Sequence, residues 1–224
     1  MAQVFNVLFT QSAGHTGHIA GIIGAVFSFA VLTELLGAQS PSGTNYALLL
    51  VVLLLTMAFG ATVNVTIERL AYRRLRTAPK LAPLITAIGM SFVLQWIGLK
   101  WIGSNPVNVN TVLPATSFEI SGVIINFKTL VIFAITIPLL IVLTFIVNKT
   151  RRGRAMRATA QDKDASRLMG IDVNRTITFT FAIAGAAAGA AGIMWAQTTG
   201  TVAYNLGFQL GLIAFTAAVL GGVG

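Results

Sequence analysis

The sequence predicts an all-α polytopic membrane protein, a single domain of about six transmembrane helices of which the last is incomplete. Its composition is the first indication, because 55% of the 224 residues are hydrophobic and only 9% are charged, against about 25% charged in soluble domains. Apolar runs of about 20 residues, the length needed to cross a bilayer, are the second. The third is the confinement of most basic residues to two polar segments between these runs.

The net charge of +9 comes entirely from these two segments. Residues 68–80 hold five basic residues and one acid, and residues 149–175 hold eight basic residues and three acids. The positive-inside rule places both segments in the cytoplasm, and the two spans between them allow both to lie on that side. A nucleic-acid-binding protein would more often spread its charge over one face.

The spans follow one another with turn chemistry between them. Residues 1–16 are too short and too polar to cross alone, and Pro41 and Gly43 mark a turn after the first span. Pro83 falls in the first turn of the third span, where a missing N–H is tolerated, and Pro138 predicts a kink in the fourth. The predicted spans are residues 17–37, 46–66, 81–103, 128–148, 176–197 and 207–224.

The connection at residues 104–127 is predicted to lie outside the cytoplasm. Apolar residues alternate with polar ones around Phe118, Ile120, Val123 and Ile125. This period of two predicts a small extracytoplasmic hairpin.

The second basic segment contains the signals of a short helix. Thr159 and Asp162 have capping-box spacing, and Gly170 suits the left-handed residue that ends a helix. Between them an apolar ridge is predicted, with the charged residues nearer the other side. A capped helix with such a ridge indicates a cytoplasmic docking element. The ridge comprises Ala165, Leu168 and Met169, opposite Asp164 and Arg167.

Two spans carry small residues four apart, a pattern that allows close helix packing. Gly17 and Gly21 form it in the first span, and Gly185 and Gly189, followed by Gly192, form it in the fifth. Packing within one bundle is the expected use of these faces.

The chain offers little for catalysis. It has no cysteine, no paired carboxylates within a span and no phosphate-binding lysine motif, so we expect no enzyme activity. His15 and His18 lack a third ligand, so no metal site is predicted. A substrate path would be lined by neutral groups, which ordinary hydrogen bonding between helices explains about as well. The candidates for this path are Asn64, Thr86, Ser91, Gln95 and Gln197.

Three function classes remain open at this stage: a permease driven by a separate ATPase, an ion-coupled secondary transporter, and a structural subunit of a larger membrane complex. Ion-coupled transporters usually hold acids within their spans. No acid is predicted in the middle of a span here, since Glu34 lies near a span end and Glu68 is placed in a loop. This favours the first class.

The segment GRAMRATAQDKDASRLMGIDVNRTITFTFAIAGAAAGAAGIM resembles the cytoplasmic loop and following helix of ABC-transporter permeases of the branched-chain amino-acid type. The segments GHIAGIIGAVFSF, ERLAYRRLR, APLITAIGMSFVLQ and FTAAVLGGVG resemble the same family, closer to its LivH than to its LivM branch. Importer permeases carry a Glu-Ala-Ala, three residues, Gly signature. Asp164-Ala165-Ser166 stands in its place here, with Gly170 at the expected spacing, while the Ile-x-Leu-Pro continuation is missing.

This resemblance implies an inner-membrane permease for branched-chain amino acids, or for related amino acids, amides or urea. The docking helix would be the coupling helix, with Leu168 and Met169 as its apolar contact and Arg157 and Arg167 as ionic partners. Implied partners are cytoplasmic ATPases that carry ATP and Mg, a homologous second permease and an extracytoplasmic binding protein. The chain itself would bind no cofactor. The family pattern continues beyond LGGVG and has a further helix before residue 17, so we expect a sequence truncated at its C-terminus and atypical at its N-terminus.

Overall fold

The computed structural model describes residues 44–75, 82–108, 117–120 and 123–203, together with the single positions 207, 211, 213, 216, 217 and 220. The first predicted span with Gly17 and Gly21, the histidine pair, Glu34, residues 76–80 of the first basic segment and most of the last span lie outside the described residues.

The described chain is almost entirely helical. A 3₁₀ turn at Tyr72–Leu75 follows the first helix. The α-helices are α1 (Thr44–Leu70), α2 (Ala82–Ile102), α3 (Phe127–Lys149), α4 (Arg151–Gln161), α5 (Lys163–Leu168) and α6 (Val173–Thr199), and the strands are β1 (Val107–Asn108), β2 (Ser117–Ile120), β3 (Val123–Asn126) and β4 (Thr201–Val202).

Three described helices are long and apolar enough to cross a membrane, namely α1 from Leu50, α3 and α6. The prediction of an all-α membrane fold is confirmed. α3 contains Pro138, has no buried residue, and exposes large apolar side chains such as Phe133 and Phe145. A surface of this kind is stable only in an apolar solvent or against another chain.

α1 continues to Leu70, four residues past the predicted end of the span, so it includes Glu68. The sequence-based placement of Glu68 in a loop is therefore wrong. Its side chain is fully buried, although it remains at the end of the span and not in its middle.

α1 and α6 pack backbone to backbone, and this seam organises the fold. A Cβ added at Gly185 would collide with the carbonyl oxygen of Gly60 and lie 2.7 Å from the Asn64 Cβ. A Cβ at Gly189 would collide with the Thr56 carbonyl oxygen. Glycine is required at these positions because any side chain would force the helices apart. The predicted small-residue face at Gly185 and Gly189 is thus a packing face, and Gly192 is buried on the same helix.

Polar and aromatic contacts continue this seam towards the start of α6. The Asn64 Nδ2 donates to the Phe181 carbonyl oxygen at 2.9 Å, a bond that satisfies a buried amide. Phe181 is itself buried, and its ring centroid lies 5.3 Å from that of Tyr72. Ile177 and Val173 join them in the main hydrophobic cluster. The 3₁₀ turn after α1 is therefore held against the first turns of α6.

The strands lie at the opposite end of the bundle. β1 pairs antiparallel with β4, with Val107 opposite Val202, and this pairing joins the end of α2 to the end of α6. β2 and β3 form the predicted hairpin, with Phe118 opposite Ile125, and the hairpin leads directly into α3. The described residues of the two basic segments therefore share one end of the bundle, and the strands share the other.

The second basic segment differs from its prediction. Two helices occupy it, and Thr159 lies buried inside α4, where its Oγ1 has no hydrogen-bond partner among the described residues. Asp162 caps α5 instead, because its Oδ1 accepts from the backbone N–H groups of Asp164 at 2.8 Å and Ala165 at 3.0 Å. The predicted capping pair is therefore wrong. The start of α6 is capped by Asp172, whose side chain accepts from the Arg175 N–H.

Replacing Gly185 with alanine should destabilise the fold. Helix propensity alone would favour alanine by up to about 1 kcal/mol, but overpacking at the seam should cost about 1–3 kcal/mol. Gly89→Ala is the matched control, since nothing lies within 4 Å of a Cβ added there, and it should be neutral or stabilising. The free energy of unfolding in detergent micelles measures the effect of each substitution. Equal changes in the free energy of unfolding for the two variants would contradict the close backbone packing at the seam.

Replacing Asp162 with alanine should loosen α5, because loss of an N-cap costs about 1 kcal/mol. Amide exchange at Met169 and Gly170 should then accelerate about fivefold. Thr159→Val distinguishes the Asp162 cap from the Thr159 cap that the sequence suggests, because it removes a hydroxyl that has no partner in the described part of the chain. It should leave exchange unchanged, and acceleration by this substitution would restore Thr159 as the cap.

Candidate functional site

The tip formed by α5 and the turn after it projects an apolar surface away from the bundle. Leu168 is 89% exposed and Met169 is 82% exposed. Neighbouring large apolar side chains that are both exposed to this extent indicate an interaction surface. Ala165 is also exposed, whereas Ser166 is buried and its Oγ donates to the Asp162 carbonyl oxygen at 2.7 Å. The predicted apolar ridge thus lies outside the bundle, and a partner for it stays a prediction.

Hydrogen bonds fix this tip at both ends. Gly170 has φ of +79°, the left-handed conformation predicted for it. The N–H of Gly170 donates to the Arg167 carbonyl oxygen and that of Ile171 donates to the Ser166 carbonyl oxygen, each at 3.0 Å. This pattern ends a helix cleanly. Asp162 at one side and Gly170 at the other therefore hold α5 in a single orientation.

The charged residues of the segment serve different contacts. Arg167 and Asp164 form an exposed ion pair at 3.0 Å, an interaction that contributes little stability in water. The Arg157 guanidinium donates to the Val147 carbonyl oxygen at 3.1 Å and to the Asn148 Oδ1 at 3.0 Å. Arg157 therefore fastens α4 to the end of α3, and its predicted ionic contact with a partner stays a prediction.

α4 was not anticipated from the sequence. Thr150, the one residue between α3 and α4, caps α4 by accepting from the Gly153 N–H at 3.0 Å. A Cβ at Gly153 would collide with the carbonyl oxygens of Ile146 and Val147. The glycine between arginines was the available signal, because it allows α4 to turn back against the last turn of α3.

Glu68 and Thr178 make a second contact that was not anticipated. The Thr178 Oγ1 donates to the Glu68 Oε2 at 2.9 Å. The two residues are 110 positions apart in the sequence, so no local pattern could pair them. This bond joins the last turn of α1 to the second turn of α6, beside the basic segments.

The predicted substrate-path residues make separate local contacts in the described part of the chain. Asn64 bonds across the seam, while Thr86 and Ser91 donate to carbonyl oxygens of their own helix. The Gln95 Nε2 is buried without a partner among the described residues. Gln197 lines a cavity of about 10 Å³ with Met194 and Leu53, about the space of one water molecule. Their role in transport stays a prediction.

Comparison with known proteins adds independent evidence. The sequence pattern of the family described as "Branched-chain amino acid transport system / permease component" matches residues 13–224. No solved structure matches the chain.

The chain is similar to three curated permeases. It is 36% identical over 209 residues to the high-affinity branched-chain amino acid transport system permease protein BraD of Pseudomonas aeruginosa, covering 91% of this chain and 67% of BraD. It is 34% identical over 208 residues to LivH of Escherichia coli strain K12, with the same coverage. A weaker similarity, 30% over 131 residues, links it to the autoinducer 2 import system permease protein LsrC of Enterobacter sp. strain 638, covering 58% of this chain and 36% of LsrC. The family pattern matches from residue 13 onward, and BraD and LivH are 36% and 34% identical to this chain over 91% of its length. The chain therefore belongs to the permease components of branched-chain amino-acid transport systems.

Proposed function

We propose that the chain is the membrane-spanning permease subunit of an ATP-driven, binding-protein-dependent importer. Branched-chain amino acids are its expected substrates, with related amino acids, amides or urea as alternatives within the same class. It would lie in the inner membrane with both basic segments in the cytoplasm. The chain would hydrolyse nothing itself, since ATP and Mg would bind to partner ATPases.

The exposed tip at Leu168 and Met169 is the observation that carries this proposal. It lies at the basic end of the bundle, is capped on both sides, and presents apolar area that water does not favour. A helix of this kind suits a groove on a separate protein. In this family the protein expected to carry that groove is a cytoplasmic ATPase.

The permease would act with three further kinds of partner. A homologous second permease would complete the substrate path, and the apolar exposed face of α3 is available for such a contact or for lipid. An extracytoplasmic binding protein would approach the end that carries the strands. Substrate would then move between the two ends as the ATPases close and open.

The ion-coupled alternative is weaker but testable. Glu68 is a buried acid of α1, and acids within spans often serve ion-coupled carriers. Its place in the last turn of the helix, bonded to Thr178, favours a packing role. Uptake that survives ATP depletion and collapses with the ion gradient would favour the alternative.

A cysteine at position 168 should be labelled from the cytoplasmic side only. The chain has no native cysteine, so Leu168→Cys supplies a unique thiol. When the permease is expressed without its ATPase, a membrane-impermeant maleimide should react with this thiol in inside-out vesicles and not in intact cells. Ser104→Cys is the matched control at the opposite end, also exposed, and should show the reverse pattern. Labelling of position 168 from outside would overturn the proposed orientation.

Replacing Leu168 with glutamate should uncouple ATP hydrolysis from uptake. A carboxylate in an apolar groove loses its hydration without gaining a partner. We expect uptake of radiolabelled leucine to fall at least about tenfold, the effect of losing one central interface side chain. The permease should still insert, and partner ATPase activity should persist.

Gln161→Glu is the control for this experiment, because it adds the same charge at the same end of the bundle, on an exposed polar residue outside the apolar ridge. It should leave leucine uptake within about twofold of that of the unsubstituted permease. A crosslink from the thiol of the Leu168→Cys variant to the ATPase would support the contact directly. Normal uptake by Leu168→Glu would exclude the tip as the docking element.

A further inference from the structure

A basic cavity of about 700 Å³ lies where α1, α4 and α6 meet. We call it the arginine cavity, because four arginine residues from three separate parts of the chain line it. Its other lining residues used below are Asp172, Phe179 and Ala182. The four arginines are Arg69, Arg73, Arg152 and Arg175.

The charge of this cavity is not balanced by the described residues. Asp172 is the one acid in its lining and is already engaged, since its Oδ2 lies 3.1 Å from the Arg175 Nε. Glu68 lies behind Thr178, another lining residue, and could offset one more charge. Two positive charges therefore remain in excess even when both acids are counted. An anionic ligand would restore the balance.

The position of the cavity relates it to the membrane boundary. α1 ends at Leu70, α3 ends at Lys149 and α6 begins at Val173, so the ends of all three candidate spans lie at this level. α4 lies beside them as a basic helix with Arg151, Arg152 and Arg154 exposed. Arginine side chains at the ends of spans reach the headgroup layer of a bilayer.

The wall of the cavity changes from charged to apolar along α6. Arg175, Phe179 and Ala182 line it in succession, and at 1.5 Å per residue the last lies about 10 Å deeper than the first. Arg152 stacks over Phe179, with its Cζ 4.7 Å from the ring centroid. A free phosphate would use only the charged rim, whereas an amphiphile would use both parts of the wall.

We propose that the arginine cavity binds one anionic phospholipid of the surrounding membrane. The phosphodiester accepts hydrogen bonds from the guanidinium groups, and the glycerol and first acyl carbons lie along Phe179 and Ala182. The inference is separate from the transported solute. It requires only that α1 and α6 cross the membrane.

The test is a lipid titration of the full chain in a neutral detergent, followed by native mass spectrometry. Dioctanoyl phosphatidylglycerol should bind as one molecule per chain, at least about tenfold more tightly than dioctanoyl phosphatidylcholine. Glycerol 3-phosphate, which carries the anion without acyl chains, should bind at least about tenfold more weakly than phosphatidylglycerol.

The chain provides a matched pair of double variants. Arg73→Gln with Arg152→Gln removes two charges from the cavity, and phosphatidylglycerol binding should weaken at least about tenfold, since each basic residue near an anionic surface contributes several-fold. Arg74→Gln with Arg151→Gln removes two exposed charges one position away that do not line the cavity. It should retain binding within about threefold. If the cavity double variant unfolds, the single variants Arg73→Gln and Arg74→Gln give the same comparison.

Three outcomes would overturn the proposal. Equal binding of phosphatidylcholine would show that charge is not recognised, and equal binding of glycerol 3-phosphate would indicate a site for a free anion. If the cavity double variant kept lipid binding but lost a co-expressed ATPase on purification, the arginines would instead contact an acidic protein surface.

Discussion

The backbone contact between α1 and α6 is the constraint on which the rest of the fold depends. Gly60 faces Gly185, and Thr56 faces Gly189, at distances that leave no room for a side chain. In a bilayer, apolar side chains gain little by leaving lipid for protein, so helices associate through close packing and buried polar bonds. The seam provides both, because Asn64 bonds to the Phe181 carbonyl oxygen in the same interface.

This seam also explains why the basic segments meet. Because α1 and α6 are held in close register, the 3₁₀ turn after α1 packs on the first turns of α6 through Tyr72 and Phe181. The last turn of α1 is joined to α6 again by Glu68 and Thr178. Arginines that are distant in sequence are thereby brought together around one cavity. The apolar tip of α5 lies at the same end, where the ATPase proposed above would dock.

Local chemistry in the sequence predicted the features that depend on one or two residues. Gly170 was assigned correctly because a left-handed residue at a helix end is a local requirement, and the spacing of Gly185 and Gly189 predicted a close approach. That spacing could not identify α1 as the helix that packs against α6, since Gly60 is the only glycine that α1 contributes to the described contacts at the seam. Thr159 was assigned wrongly because nothing between Arg151 and Gln161 stops a helix, so α4 runs through it and Asp162 becomes the cap. The bond of Glu68 to Thr178 lies beyond any local pattern.

The short joints around α4 have a mechanical consequence. Thr150 alone separates α3 from α4, and Asp162 alone separates α4 from α5. Each joint residue caps the helix that follows it, while Arg157 ties α4 back to the final carbonyl groups of α3. The path from the tip to the end of α3 therefore contains no loop longer than one residue. A force applied at Leu168 would act on the end of α3 through capped helices and hydrogen bonds, without an intervening loop.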